Sequence, residues 1–332
     1  MKKVTILAID GCSATTITGP MDVFTLTGVL WNRIFGQVVL PYFEVEIATI
    51  TGNAVSCNNN LPIRPHISME AVKQTDLILV PAIFQVEKVL PGIDSAVISW
   101  LGRHYERGAH LASVCTGSFV LALTGLLDGK EATTHWAVTE TFRQLYPEVI
   151  LKPEKLITDA GDIFCSGSMS SCIDLSMYLV EKYCGHQVAV ECSKILAHDM
   201  GRHSQAPYTP FRFQRNHQDD AVLRCQIYLE EQFQEEIDIG KLAGQHGMGR
   251  RTMERRFKAA TGDSPLCYLQ RVRVEEAKKM LESGRESFDA ISYKVGYEDS
   301  GFFRRVFRKY TGLNPIEYRG KFQRAVAMPV NE

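Results

Sequence analysis

No two cysteines in this sequence have the C-x-x-C spacing of a zinc ribbon or a dithiol motif, although nine are present. An odd number of scattered thiols argues against both a disulfide framework and a structural metal, and fits a reducing cytoplasm. Nowhere does an apolar run approach the roughly 18 residues that a membrane helix needs. The opening stretch MKKVTILAIDGC places two lysines before an apolar run that ends at Asp10. A run of about six residues predicts a strand rather than a signal peptide. Low-complexity tracts and long internal repeats are missing, which excludes fibrous and solenoid architectures. Nothing in these patterns calls for a metal, a cofactor or a membrane, so a soluble cytoplasmic protein is expected.

What is present is enough sequence for two cores. The chain has 332 residues, and ordinary domains run to about 100–200. Residues 1–200 alternate β-branched runs with helical spacing. VTILAI (Val4–Ile9), FEVEIATI (Phe43–Ile50), DLILVP (Asp76–Pro81) and HLASV (His110–Val114) are the strand candidates. Met21–Leu30, Ile93–Glu106, Ser118–Leu126 and Cys172–Lys182 carry helical periodicity. That alternation predicts an α/β fold, a doubly wound and mostly parallel flavodoxin-like sheet covered on both faces. Residues 201–218 are polar, hold two prolines and show no period, as expected of a linker. From residue 219 to 322 only helical periods remain, which predicts a second, all-α domain.

Net charge over the whole chain is −1, yet the positive charge is clustered. Arg250, Arg251, Arg255, Arg256 and Lys258 crowd one nine-residue stretch with a single acid, Glu254. Arg304, Arg305, Arg308 and Lys309 crowd another with none. Both clusters lie in repeats of one plan: a short amphipathic helix, a turn at Gly247 or Gly296, a second helix ending in Phe-x-x-x-x-Gly, then a proline. That is a helix-turn-helix written twice. In the first unit Met253 and Phe257 form the inner face, leaving Arg250, Arg251, Glu254, Arg255 and Lys258 outside. In the second, Phe303, Phe307 and Tyr310 point inward and Arg304, Arg305 and Arg308 outward. One such cluster is most simply a solvated helix face; two, each on the second helix of a turn-containing pair, point to double-stranded DNA.

GYEDSGFFRRVFRKYTGLNPIEYR (Gly296–Arg319) closely resembles the C-terminal signature of AraC/XylS-type transcription regulators, and MGRRTMERRF (Met248–Phe257) resembles their first recognition helix. The resemblance implies that the long segment Pro265–Gly284 joins the two units and that their recognition helices enter successive major grooves. By position it implies base reading by Arg251, Glu254, Arg255, Arg304 and Arg305, with Arg250 and Arg308 at phosphates. Gly249 and Gly301 depart from the polar residues common at their positions.

The other chemical signal is SVCTGSFVLALTGLL (Ser113–Leu127), in which Cys115 follows a strand and precedes a helix. Such a turn can hold a nucleophile, and a helix N-terminus lowers a thiol pKa. His135, expected at the end of the next strand, is a candidate base. SVCTGSFVLALTGLLDGKEATTHW (Ser113–Trp136), together with GPMDVF (Gly19–Phe24), resembles the PfpI-like, class I glutamine amidotransferase-like domain carried by some AraC-type regulators. Enzymes of that superfamily commonly place an acid where this chain has Thr15 and Thr16, and glycines where it has Ala82 and Ile83. The resemblance therefore implies a ligand sensor on an enzyme scaffold, with Cys115, His135, Trp136, Thr16 and Phe84 around a small-molecule effector. Trp136 and Phe84 could face a cationic amine, since related regulators sense amino acids or quaternary amines. Ordinary core packing is the competing reading for both aromatics.

Two functions are weighed, and the first, with no enzymatic activity, is the one expected. One is a homodimeric transcription regulator, an activator touching RNA polymerase, governed by a metabolite. The other is a cysteine-dependent amidase or peptidase built on Cys115 and His135.

Overall fold

The apolar runs pair into one seven-stranded sheet. Its strands are β1 (Lys2–Leu7), β2 (Phe43–Thr49), β3 (Ile67–Ser68), β4 (Leu77–Val80), β5 (His110–Val114), β6 (Ile157–Asp159) and β7 (Ile163–Ser166), in the order β6-β7-β5-β4-β1-β2-β3. Every pairing is parallel except that of edge strand β6 with β7. All four residues of β4 are buried. Successive strand residues point to opposite faces, so both faces of the sheet are covered, which is why this strand reads as an unbroken apolar run. The computed structural model describes residues 1–323, and the chain divides into two units after Gln205.

The first unit adds helices α1 (Thr15–Leu26), α2 (Ser95–Glu106), α3 (Ser118–Ala122), α4 (Ser171–Cys184) and α5 (His186–Leu196). Helix α1 begins six residues before the expected Met21, and Pro20 lies inside it. Proline removes one backbone donor, but Ile17, Pro20, Val23 and Phe24 are all buried, and that packing offsets the missing bond. Conversely α3 stops four residues short of Leu126, where the chain turns through Gly125 at φ +73°. The strand expected to end at His135 is also different. Glu131–Ala132 pairs with Ile150–Leu151 in a separate two-stranded ladder, and His135 instead caps a turn over Trp136–Val138.

The second unit is helical: α6 (Asp220–Glu231), α7 (Ile239–Gln245), α8 (Arg250–Thr261), α9 (Pro265–Ser283), α10 (Phe288–Lys294), α11 (Ser300–Thr311) and α12 (Pro315–Phe322). Local chemistry repeats with the sequence. Helices α8 and α11 both end at a left-handed glycine, Gly262 at φ +79° and Gly312 at φ +73°. Each is followed by a capped helix with proline at its first position, Ser264-Pro265 and Asn314-Pro315. One core gathers Val222, Leu242, Met253 and Phe257 with Tyr268, Leu269 and Val272. The other gathers Ile291, Phe303, Phe307 and Tyr318 with Val274, Ala277 and Leu281. Helix α9 thus feeds both cores and splints the two helix-turn-helix units together.

Residues 201–218, expected as a linker, are held to one unit or the other over much of their length. Ser204 bridges to Lys155 and Gln205 is buried in the first unit. In the second unit Phe211 packs edge-on against Tyr268 at 5.1 Å, and His217 bonds Gln226 at 2.7 Å. Among the described residues no helix is long and apolar enough to cross a membrane, and no group of three or more His, Cys, Asp or Glu side chains is placed to hold a metal.

Candidate functional site

The basic helices keep their arginines outside. On α8 the buried residues are Met253, Phe257 and Thr261, while Arg250, Arg251, Arg255 and Lys258 are exposed. Glu254 is half-buried and accepts from Arg250 Nε at 3.0 Å, an i,i+4 pair that orients both side chains. Arg256, in the middle of the cluster, has a different job. It holds Asp219 with two bonds, Nε at 2.8 Å and a terminal nitrogen at 2.6 Å, tying α8 to the start of α6.

On α11 the inner face is Phe303, Val306, Phe307 and Thr311. Arg304, Arg305, Arg308 and Lys309 are exposed. Arg304 lies 3.6 Å from Asp289 and over the Phe288 ring, and Arg305 lies over Phe302. Each guanidinium carbon lies 5.6 Å from its ring centroid, within the range of a cation–π contact. The two glycine departures have unequal effects. Gly249 caps α8 with no side-chain bond, whereas α11 is capped by Asp299, two residues before Gly301, through Phe302 N at 2.9 Å.

The second feature is a cavity of about 440 Å³ at the carboxyl ends of β4 and β5. Its lining includes Phe84, Cys115 and His135 from the expected set, with Gln85, Glu87 and Met169 added. Thr16 and Trp136 are not among the lining residues. Thr16 is fully buried; its hydroxyl donates to Ser13 O at 2.8 Å and accepts from Ala82 N at 3.1 Å. The Trp136 ring lies 5.0 Å from that of His135. Residues 82–87 directly follow β4, so the rule that ligands gather beyond strand ends could have found them. Met169 follows β7, a strand of four residues that lies outside the four apolar runs expected as strands.

The elbow itself is present. Cys115 has φ +56°, a left-handed conformation rare for a residue with a side chain. Gly117 makes it feasible, because a Cβ there would lie 2.6 Å from the backbone oxygens of both Val80 and Pro81. Activation is another matter. Burial pushes the Cys115 thiol up to about 11, outweighing the hydrogen bonds from Thr116 that favour the thiolate. That reverses the lowering expected from a helix N-terminus. His135 Nδ1 accepts from Ala137 N at 3.2 Å as a turn cap.

The backbone donors after β4 are also engaged. Ala82 N bonds the Thr16 hydroxyl, Ile83 N bonds the Thr116 hydroxyl at 3.0 Å, and Phe84 N bonds Gly11 O at 3.1 Å. An oxyanion needs donors aimed at it and unoccupied. Here threonine hydroxyls and a backbone carbonyl take three consecutive candidates.

Fold and site together define a two-part protein, an α/β elbow scaffold followed by paired helix-turn-helix units. A model of the DJ-1/PfpI family matches residues 2–182 and a helix-turn-helix domain model matches residues 242–321. The chain belongs to the DJ-1/PfpI family and carries an AraC-type helix-turn-helix domain behind it. It is 26% identical over 298 residues to the HTH-type transcriptional regulator CdhR of Pseudomonas aeruginosa, covering 86% of this chain and 84% of that protein. It is 28% identical over 175 residues to an isonitrile hydratase of Pseudomonas putida, covering 52% of this chain and 68% of the enzyme. Among solved structures, an AraC family transcriptional regulator from Pseudomonas putida superposes with a TM-score of 0.51 at 20% identity, covering 59% of this chain and 100% of that one.

Proposed function

We propose that this protein is a cytoplasmic, sequence-specific DNA-binding transcription regulator, acting as a homodimeric activator that contacts RNA polymerase, with its α/β unit governed by a small metabolite. The observation that carries the reading is the duplication: two outward arginine faces, on α8 and α11, flank one helix that feeds both cores. Arg251, Glu254, Arg255, Arg304 and Arg305 read bases, while Arg250 and Arg308 hold phosphates. The likeness to a named transcriptional regulator over most of both chains supports the same function.

The cavity supports an effector that is a cationic or quaternary amine, or an amino acid presenting its amine inward. Its lining offers the Glu87 carboxylate, the Phe84 ring and the Met169 thioether, with no lysine or arginine among the lining residues. A cation is attracted by a carboxylate and an aromatic face. A thermal-shift screen of methylated amines and amino acids on the full chain identifies the class, because a specific binder raises apparent stability.

Fluorescence anisotropy with upstream DNA tests the regulator. Each good base contact contributes about 1–3 kcal/mol of discrimination. The double variant Arg255→Ala/Arg305→Ala is therefore expected to lose at least about thirtyfold in affinity for its operator, the equivalent of two contacts at about 1 kcal/mol each, while keeping weak non-specific binding. Specific binding that survives both changes removes the assignment of the reading helices.

The rival reading, a cysteine-dependent amidase or peptidase using Cys115 and His135, draws support from the left-handed Cys115, and the likeness to an isonitrile hydratase supports an enzyme on this scaffold. Ligand-dependent transcription that persists in Cys115→Ser removes any need for covalent chemistry.

A further inference from the structure

The end of the α/β unit does not simply leave its surface. Beyond α5, His198 Nε2 and an Arg202 guanidinium nitrogen each lie 3.4 Å from the buried Asp174 carboxylate. The chain then crosses beside residues 154–156: Leu156 N donates to His203 O at 3.2 Å and Gln205 N donates to Glu154 O at 3.0 Å. Gln205 is 1% exposed. The two N–H groups of its amide are shared among Thr134 O at 2.9 Å, the Thr133 hydroxyl at 3.1 Å and Lys155 O at 3.3 Å.

Those partners lead directly to the cavity. Thr134 precedes His135, and its hydroxyl donates to Cys115 O at 3.3 Å and lies 2.9 Å from the Ser118 hydroxyl. On the other side Gly167 is packed so closely that a Cβ there would overlap the Gln205 amide. Two residues further on is Met169, another wall of the cavity. A buried amide held by three polar partners has few alternative positions, because leaving any of them unpaired is costly. A shift of either wall therefore reaches Gln205.

We propose that Gln205 is a relay: occupancy of the cavity over Cys115 displaces the 133–135 and 167–169 walls, and Gln205 passes the displacement to the last residues of the α/β unit, whose next residue opens the DNA-binding unit. The proposal rests on the regulator reading, and two readouts separate their failures.

Hydrogen exchange of the Gln205 and Leu156 amides in the full chain tests the relay, with the cavity filled from within by Met169→Trp or, should that chain misfold, by Val138→Phe. Exchange at both amides is expected to speed up roughly tenfold, about the effect of losing one net hydrogen bond, while β1 and β4 amides stay unchanged. Gln205→Glu keeps the shape but replaces the donor, so it should speed the same amides by itself and abolish any further response to filling. A plug with no relay role gives the first of those effects without a response to filling. Amides unmoved by a filled cavity in a folded chain, or purely additive effects in the double variant, overturn the relay. Specific DNA binding is measured on the same chains. Amides that respond in a protein without specific DNA binding would sink the regulator reading alone, and silent amides in a protein that binds its operator would sink the relay alone.

Discussion

Cys115 shows how a reactive geometry and a reactive thiol come apart. The φ of +56° and the bare Cα of Gly117 are features of an elbow; the thiol's displacement to about 11 is the result of being 4% exposed. Iodoacetamide labelling read by peptide mass spectrometry should therefore find Cys115 reacting at pH 8 at least about a hundredfold more slowly than an ordinary thiol, whose pKa is about 8.5, with the rate still rising toward pH 10. A rate that levels off near neutrality would mean an activated thiolate and would revive the enzyme. The residues in SVCTGS made the elbow legible, since a cysteine between a strand and a helix with glycine two positions on has few other placements. What was not legible was its surroundings. The hydroxyls of Thr16 and Thr116 occupy the Ala82 and Ile83 amides across separations of 66 and 33 residues, and no local pattern encodes such a pairing. The same holds for Gln205, whose polar segment reads as a linker while its side chain is buried.

At the level of elements, periodicity located what was long and missed what was short or interrupted. Strands β1, β2, β4 and β5 are apolar runs of ordinary length and were legible. Strand β3 has two residues and β6 three, too few to show alternation. Helix α1 carries Pro20 in its interior, where the buried face offsets the lost backbone bond. Helix α2 carries a consequence for pH. His104 on its inner face is 3% exposed, and burial first, then Arg107 and Arg103, hold its pKa below 6.5. The folded state thus binds this proton less readily than the unfolded chain. The contribution is fully present above pH 6.5 and is lost as pH falls through and below that value. Thermal unfolding of the full chain between pH 7.5 and 5 should show a fall in melting temperature that is shallower in His104→Gln, once the variant's own loss of packing is taken as the pH 7.5 offset. Equal slopes would place the acid sensitivity elsewhere.

For the whole molecule, helix α9 sets what kind of operator can be read. Its 19 residues span about 28 Å at 1.5 Å per residue, comparable to the ~34 Å between successive major grooves on one face of B-DNA. Because Tyr268, Leu269 and Val272 belong to one core and Val274, Ala277 and Leu281 to the other, the helix cannot bend or slide without opening a core. The separation of the two arginine faces within one chain is consequently rigid. Two proteins joined by a flexible tether tolerate an added helical turn of DNA; one rigid splint does not. Within a mapped operator, inserting five base pairs between the blocks protected by α8 and α11 should abolish specific binding, since the second block turns to the opposite face. Inserting ten should abolish it equally, although the block returns to the original face, because α9 cannot lengthen by another ~34 Å. Recovery of affinity with ten base pairs would show that the two helix-turn-helix units reach DNA from different chains, and would reassign α9 from a ruler within one subunit to a strut that leaves its partner unit idle.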